Sequence, residues 1–149
     1  MVCVQELWES YLRNGEASGY TFAVYREGAQ VLGFLCFGPT PLTEGTFDLY
    51  WIAVAPEAQG QGVGSALMAH LENEVAKLGG RLILVETSGT ALYTQARRFY
   101  ERCGYHYEAV VHDFYSPGDD LIIFGKLVRP LGAQTPEVRP EMAPAPTAA

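Results

Sequence analysis

The stretch WIAVAPEAQGQGVGSALMAHL, Trp51–Leu71, joins a strand-like run to an amphipathic segment through a cluster of glycines. Gly60, Gly62 and Gly64 occupy alternate positions in that cluster. Glycine costs about 0.5–1 kcal/mol relative to alanine inside a regular element, so the cluster indicates a sharp turn or the close approach of another group. A turn that leads into a helix also exposes unpaired backbone N–H groups at the positive end of the helix dipole. The cluster therefore predicts either a tight turn with a close helix contact or a binding site for an anion.

Two common nucleotide-binding patterns do not fit these glycines. The dinucleotide pattern G-x-G-x-x-G requires a third glycine where this chain has Ser65. A phosphate-binding P-loop requires Gly-Lys-Ser or Gly-Lys-Thr, and neither occurs in the sequence. If the turn binds an anion, this chain belongs to neither of these two nucleotide-binding classes.

The apolar periodicity changes after the turn. From Val63 onward the apolar residues follow a helical spacing that ends at the glycine pair 79–80; they are Leu67, Leu71, Val75 and Leu78. The next run, RLILVET at 81–87, is continuously apolar, as in a strand covered on both faces. This order predicts a right-handed β-α-β unit in which Trp51 and Ile83 lie on parallel strands.

The flanking sequence predicts further strands and helices. A short helix at 4–14 precedes a hairpin that turns at 27–30, and a strand covers 46–54. A later helix, which ends at Gly104, has an apolar stripe made of Leu92, Ala96, Phe99, Tyr100 and Cys103. The last two strands form a hairpin around the turn at 116–119. We expect one α/β domain over 1–129 and a disordered Pro- and Ala-rich tail over 130–149.

Composition excludes several classes of function. The chain of 149 residues has 10 Lys and Arg against 17 Asp and Glu, and its basic residues are scattered, which disfavours nucleic acid as a partner. No apolar run approaches the roughly 18–20 residues of a membrane span, and no leader pattern opens the sequence, so we expect a cytoplasmic protein. The three cysteines are widely spaced and form no C-x-x-C pair, which disfavours disulfides and a metal site.

Two segments, QGQGVG at 59–64 and ARRFYERCGY at 96–105, resemble motifs of the GNAT superfamily of acyl-CoA-dependent N-acyltransferases. The segment QGQGVG at 59–64 matches the family pattern Q/R-x-x-G-x-G/A, and ARRFYERCGY at 96–105 is similar to its A-x-x-F-Y-x-x-x-G-F/Y helix. The predicted order of strands and helices agrees with the family from about residue 20 to residue 128. The resemblance implies a GNAT-type mixed, largely antiparallel twisted sheet with a central parallel strand pair and flanking helices. It also implies acetyl-CoA as the acyl donor.

The resemblance assigns a set of cofactor-binding residues. The backbone of Ile52 and Val54, with Ala53 between them, would hold the pantetheine arm and the thioester oxygen beside a splayed strand. The turn and first helical residues would hold the pyrophosphate; they are Gln59, Gly60, Gln61, Gly62, Val63, Gly64 and Ser65. The chain departs from the family in having glutamines where a Lys or Arg is frequent. Its N-terminal region is also short, so a partner chain could complete it, and a homodimer is left open.

Three residues are candidates for the chemistry of acyl transfer. Resemblance places Tyr100 where it would donate a proton or a hydrogen bond to the departing sulfur, although its stripe also fits simple core packing. Asp48 and Glu86 compete as the general base that an alkylammonium needs at neutral pH, or each is an ordinary solvated strand-end carboxylate. Ser65 and Ser88 have no His nearby in sequence, so direct attack on the thioester is the simpler mechanism.

The sequence also suggests how the acceptor is recognised. Tyr50 and Tyr115 with Asp119 and Asp120 could form an aromatic and acidic mouth for an ammonium-bearing substrate. The expected activity is acetyl transfer to a primary amine of a small molecule or peptide. The alternative is a catalytically weak or inactive GNAT-like module that binds acyl-CoA for regulation.

Overall fold

A computed structural model describes residues 4–129, in which six strands form one sheet in the order β1-β2-β3-β4-β6-β5. The helices are α1 (Val4–Asn14), α2 (Val63–Lys77) and α3 (Thr94–Arg102). The strands are β1 (Thr21–Glu27), β2 (Gln30–Pro39), β3 (Thr46–Val54), β4 (Leu82–Ser88), β5 (His106–Ser116) and β6 (Asp119–Leu127). The tail predicted to be disordered, 130–149, lies outside the described residues.

The sheet is mixed, as the sequence predicts. Strands β1 to β3 pair antiparallel, β3 and β4 pair parallel through α2, and β6 pairs antiparallel with both β4 and β5. The predicted parallel arrangement of Trp51 and Ile83 is therefore confirmed. Among the described residues, no helix combines the length and the apolar character needed to cross a bilayer.

Helix α2 supplies much of the core on one face of the sheet. Its buried side chains repeat at helical spacing and are Val63, Leu67, Met68, Leu71 and Val75. Leu78, which the periodicity places on the same stripe, is instead 64% exposed. The helix ends at Lys77, and the chain then turns through Gly79 at φ +78°, so Leu78 lies beyond the last buried turn.

Two other apolar residues, Leu92 and Leu12, are exposed although the sequence predicts each of them in a helix. Leu92 is 85% exposed because it belongs to a short 3₁₀ turn, Ala91–Tyr93, that precedes α3. Helix α1 forms as predicted and packs Trp8 and Tyr11 against Phe22 of β1, with ring centroids 5.0 and 5.3 Å from the Phe22 ring. Leu12 of the same helix remains 63% exposed.

The two parallel strands separate halfway along their length. Residues 46–49 of β3 pair with 82–85 of β4, and the pairing stops after Leu49 and Val85. On the other side of β3, the register with β2 passes from Trp51 to Leu49, which leaves Tyr50 as an extra residue in β3. Such a bulge bends its strand and increases the local twist. The bend at Tyr50 coincides with the point at which β3 leaves β4, and it opens the sheet where the candidate site lies.

Candidate active site

A cleft of about 350 Å³ occupies the gap between the separated strands. β3 contributes the residues from Leu49 to Ile52, and β4 contributes those from Val85 to Ser88. The remaining lining side chains come from the α3 region and the last hairpin; they are Tyr93, Ala96, Tyr100, Tyr115 and Asp119. The cleft is within the size range of small-molecule sites.

The backbone of β3 points N–H groups into this gap. The amide of Ala55 donates to the carbonyl oxygen of Leu32 on β2 at 2.8 Å. Because hydrogen-bonding direction alternates along an antiparallel strand, the amides of Val54 and Ile52 point away from β2, towards the side that β4 has left. These are the two backbone groups that the family resemblance selects.

A second cavity, a groove of about 540 Å³, runs past the glycine turn. Its lining includes nine of the ten residues predicted to bind the cofactor, all except Gln61. Gly60 and Gly62 have φ angles of +76° and +82°, a region that side chains disfavour, and α2 begins directly after them. The first N–H groups of α2 have no partner within the helix. They form the positive end of the helix dipole, which lies at this groove.

The two glutamines of the turn stabilise its shape. The side-chain amide of Gln59 donates to the carbonyl oxygen of Val54 at 3.3 Å, and that of Gln61 donates to Glu57 at 3.1 Å. Gln61 therefore braces the backbone and does not line the groove. Positive charge in the turn comes from the backbone alone.

Gly64 has a packing role that differs from the turn-forming role of Gly60 and Gly62. A Cβ atom at this position would lie 3.1 Å from two ring atoms of Phe99 on α3. The third glycine therefore allows α2 and α3 to approach closely. The cluster therefore forms a tight turn with a close helix contact, because two glycines form the turn and the third permits the contact.

The groove has two polar residues that the sequence argument missed. Gln95 and Arg102 lie on α3 and line the groove together with Phe99. The three residues are spaced i, i+4 and i+7, so they share one face of the helix. That spacing, counted from Phe99, is the signal that could have identified Arg102. Its exposed guanidinium places a positive charge in a groove whose turn has neither Lys nor Arg.

Tyr100 lies where the two cavities meet. It lines both of them, together with Ile52 and Ala96. The side chain is 8% exposed and packs against Phe99, Tyr105 and Phe124 at centroid distances of 5.6, 6.4 and 5.8 Å. Burial, with a smaller contribution from Cys103, raises the pKa of Tyr100 to about 12. The phenol therefore stays protonated at neutral pH, and it belongs to the core as well as to the cleft.

The two candidate bases occupy different surroundings. Glu86 lines the cleft at the point where β4 separates from β3, and its side chain is exposed. Asp48 does not line the cleft, and its Oδ2 accepts a hydrogen bond from Thr40 Oγ1 at 2.7 Å. The structure brings Glu86, and not Asp48, to the cleft that Tyr100 also lines.

Three of the four residues proposed for an acceptor mouth do line the cleft. Tyr50, Tyr115 and Asp119 are among its lining side chains. Burial and then the nearby charges of Glu86 and Asp119 raise the pKa of Tyr115. Asp119 Oδ1 accepts a hydrogen bond from Ser88 Oγ at 2.5 Å.

The prediction for Asp120 is wrong, because this carboxylate binds the hairpin instead of facing the cleft. Its Oδ1 accepts from the amide of Asp113 at 2.9 Å, and its Oδ2 lies 3.0 Å from His112 Nδ1. Those hydrogen bonds lower its pKa. They fix the irregular part of β5, where Asp113 has a φ of +54° and β5 is not paired with β6 between Val111 and Ser116.

Residues 4–129 contain no group of three or more His, Cys, Asp and Glu side chains placed to hold a metal ion. Cys36 is buried, and burial raises its pKa to about 12. Desolvation also raises the pKa of Cys103.

Comparison with known proteins identifies a family and several relatives. A family model described as an acetyltransferase (GNAT) domain matches residues 18–107. A crystal structure of a GNAT-family protein from Desulfovibrio desulfuricans is 50% identical, with a TM-score of 0.81, and the match covers 83% of this chain and 77% of that one. The family resemblance and the fold that it implies are thereby confirmed.

Two curated relatives bear the name uncharacterized N-acetyltransferase. One, from Bacillus subtilis, is 28% identical over 120 residues, which is 80% of this chain and 72% of that protein. The other, from Methanocaldococcus jannaschii, is 35% identical over 78 residues, which is 50% of this chain and 47% of that protein. The chain thus matches about half the length of the archaeal relative.

Proposed function

This chain belongs to the GNAT family of acetyltransferases, and from that premise we propose that it transfers an acetyl group from acetyl-CoA to a primary amine by direct attack on the thioester. The acceptor amine belongs to a small molecule or a peptide. The observation that carries the proposal is the meeting of the two cavities at Ile52, Ala96 and Tyr100. One cavity has the features of an anion-binding groove, and the other is an acidic and aromatic cleft.

The groove has the chemical features that coenzyme A requires. Gly60 and Gly62 would have open space around an added Cβ, so a ligand can approach their backbone closely. In the proposal the first amides of α2 and the Arg102 guanidinium bind phosphate oxygens. The amides of Val54 and Ile52 hold the pantetheine arm and the thioester oxygen at the gap. Acetyl-CoA supplies the activated acetyl group that the amine accepts, with release of the free thiol.

Glu86 and Tyr100 would manage the protons. An alkylammonium has a reference pKa near 10, so it must lose a proton before it can attack. The Glu86 carboxylate takes that proton, directly or through a water, and passes it to solvent. Tyr100 Oη donates a hydrogen bond to the sulfur as negative charge develops there. The departing thiolate then takes up the second proton, which the attacking nitrogen loses as the amide forms.

The cysteines and serines give little support to a covalent mechanism. Burial keeps the Cys36 thiol protonated, since its pKa is raised to about 12. Ser88 lines the cleft, but its hydroxyl donates to Asp119 and also lies 2.8 Å from Thr90 Oγ1. A carboxylate is too weak a base to activate the Ser88 hydroxyl as a nucleophile. Direct transfer to the amine needs no such activation.

The test measures free thiol released from acetyl-CoA with a panel of primary amines. Glu86→Gln should lower turnover by roughly 10²-fold to 10⁴-fold while acetyl-CoA binding persists. Asp48→Asn is the matched carboxylate change outside the cleft and should have little effect. The opposite ranking would assign the base to Asp48. Acetyl-CoA binding without release from any amine would instead favour the alternative, a regulatory acyl-CoA-binding module.

A further inference from the structure

We infer that the acceptor amine carries a second positive charge, as in an aliphatic diamine, and that Asp119 binds this distal ammonium. The inference rests on the proposed function and specifies its substrate class. Its first support is the charge of the cleft. Among its lining side chains, Glu86 and Asp119 are acidic, and none is Lys, Arg or His.

The carboxylates of Glu86 and Asp119 lie at different positions along the direction of β4. Glu86 and Ser88 are two residues apart on β4, so their side chains share a face and lie roughly 6–7 Å apart along the strand. Ser88 Oγ donates to Asp119 Oδ1 and so fixes the Asp119 carboxylate beside it. Tyr115 lies near both acids, since the charges of Glu86 and Asp119 each raise its pKa. A short diamine has a comparable distance between its two nitrogens.

Asp119 has a free acceptor for such a cation. Its Oδ1 accepts from Ser88, and the described residues provide no hydrogen-bond partner for Oδ2. Glu86 is the proposed base, so proton transfer does not require Asp119, which lies beside Ser88 at the end of β4. A neutral group at this point would leave the carboxylate uncompensated in the cleft, whereas an ammonium would pair with it.

Aromatic side chains complete a surface for a chain of methylenes that ends in a cation. Tyr50, Tyr93 and Tyr115 line the same cleft as the two acids. Tyrosine rings bury apolar carbon while their faces attract a cation. The cleft therefore combines apolar side-chain surface with two negative charges.

The experiment compares 1,4-diaminobutane with n-pentylamine, in which a methyl group replaces the second ammonium. The wild-type chain should give a kcat/KM for the diamine that is roughly 10-fold to 100-fold higher, as expected for a hydrogen bond to a charged group. Asp119→Asn keeps an oxygen that can accept from Ser88 but removes the charge. It should abolish the preference by lowering kcat/KM for the diamine alone.

Asp120→Asn is the control, because it makes the same chemical change at the neighbouring position, outside the cleft. It should leave the preference for the diamine intact. The wild-type comparison uses no variant, so it tests the inference even if Asp119→Asn does not fold. Equal kcat/KM values for the two amines, or an equal loss for both in Asp119→Asn, would overturn the inference but leave the proposed function standing. If none of the amines in the panel causes release of free thiol, the proposed function is overturned, and this inference with it.

Discussion

Replacing Tyr100 by Phe removes one hydroxyl from the point where the two cavities meet. The ring contacts with Phe99, Tyr105 and Phe124 do not involve that oxygen, so packing should persist. We expect kcat to fall while acetyl-CoA binding and the melting temperature change little. A fall in kcat without a change in binding means that the lost interaction is made only in the transition state.

The pKa of Tyr100 sets the size of the expected loss. At about 12, it lies roughly 3.5 units above the reference value of about 8.5 for a thiol, so full proton transfer from the phenol to a thiolate is unfavourable. The hydroxyl instead donates a hydrogen bond to the developing charge, an interaction of about 1.5–3 kcal/mol. Loss of that bond corresponds to a fall in kcat of roughly 10-fold to 100-fold.

The assay measures kcat from free thiol release, with acetyl-CoA affinity and melting temperature determined on the same preparation. Tyr105→Phe is the matched control, because Tyr105 is 1% exposed, contacts the Tyr100 ring and lines neither cavity. An unchanged kcat in Tyr100→Phe would refute the donor role. An equal loss in the two variants would show that the effect comes from packing. A large drop in melting temperature would make Tyr100 a core residue only.

Three further predictions concern the cofactor groove, alkaline stability and the tail. Arg102→Gln should weaken acetyl-CoA binding by roughly 10-fold at low salt and less at high salt, measured by titration, whereas Arg98→Gln on the same helix but outside the groove should not. The contribution of Tyr100 to the free energy of unfolding should be fully present below pH 10 and should be lost between pH 10 and 12, because the folded-state pKa of Tyr100 is raised above its ordinary value. Tyr100→Phe should reduce that slope by about 1.4 kcal/mol per pH unit in denaturant titrations. Truncation after Arg129 should leave the melting temperature and acetyl-CoA binding unchanged; a large drop would mean that 130–149 packs on the domain.

The glycine turn and α2 could be predicted because their signals are local. Three glycines, a change of apolar period and a stop at Gly79 all lie within one continuous segment. The same locality explains the errors at the ends of helices. Periodicity continues through Leu78 and starts at Leu92, but neither residue lies inside an α-helix of the structure. Helix boundaries depend on capping and tertiary contacts that spacing alone does not contain.

The choice between Asp48 and Glu86 could not be made from the sequence. Both are carboxylates on strands of one β-α-β unit, and the two strands are paired at Asp48 but separated at Glu86. The difference depends on where pairing stops, which is a property of register between distant segments. Arg102 was missed for a related reason, since its place in the groove depends on how α3 packs against α2.

The extra residue at Tyr50 explains how one strand serves both the core and the cleft. Before it, Phe47 and Leu49 face the core; after it, Ile52 and Val54 pack against the core. Because side chains alternate with a period of two, the core positions would pass to 51 and 53 without the insertion. The bulge thus lets β3 bend away from β4 and still return its apolar side chains to α2 and α3. The N–H groups released by this bend lie in an open gap, where water can reach them. A ligand with carbonyl acceptors can replace that water without disturbing the core, so the break in pairing provides a binding edge at a low cost in stability.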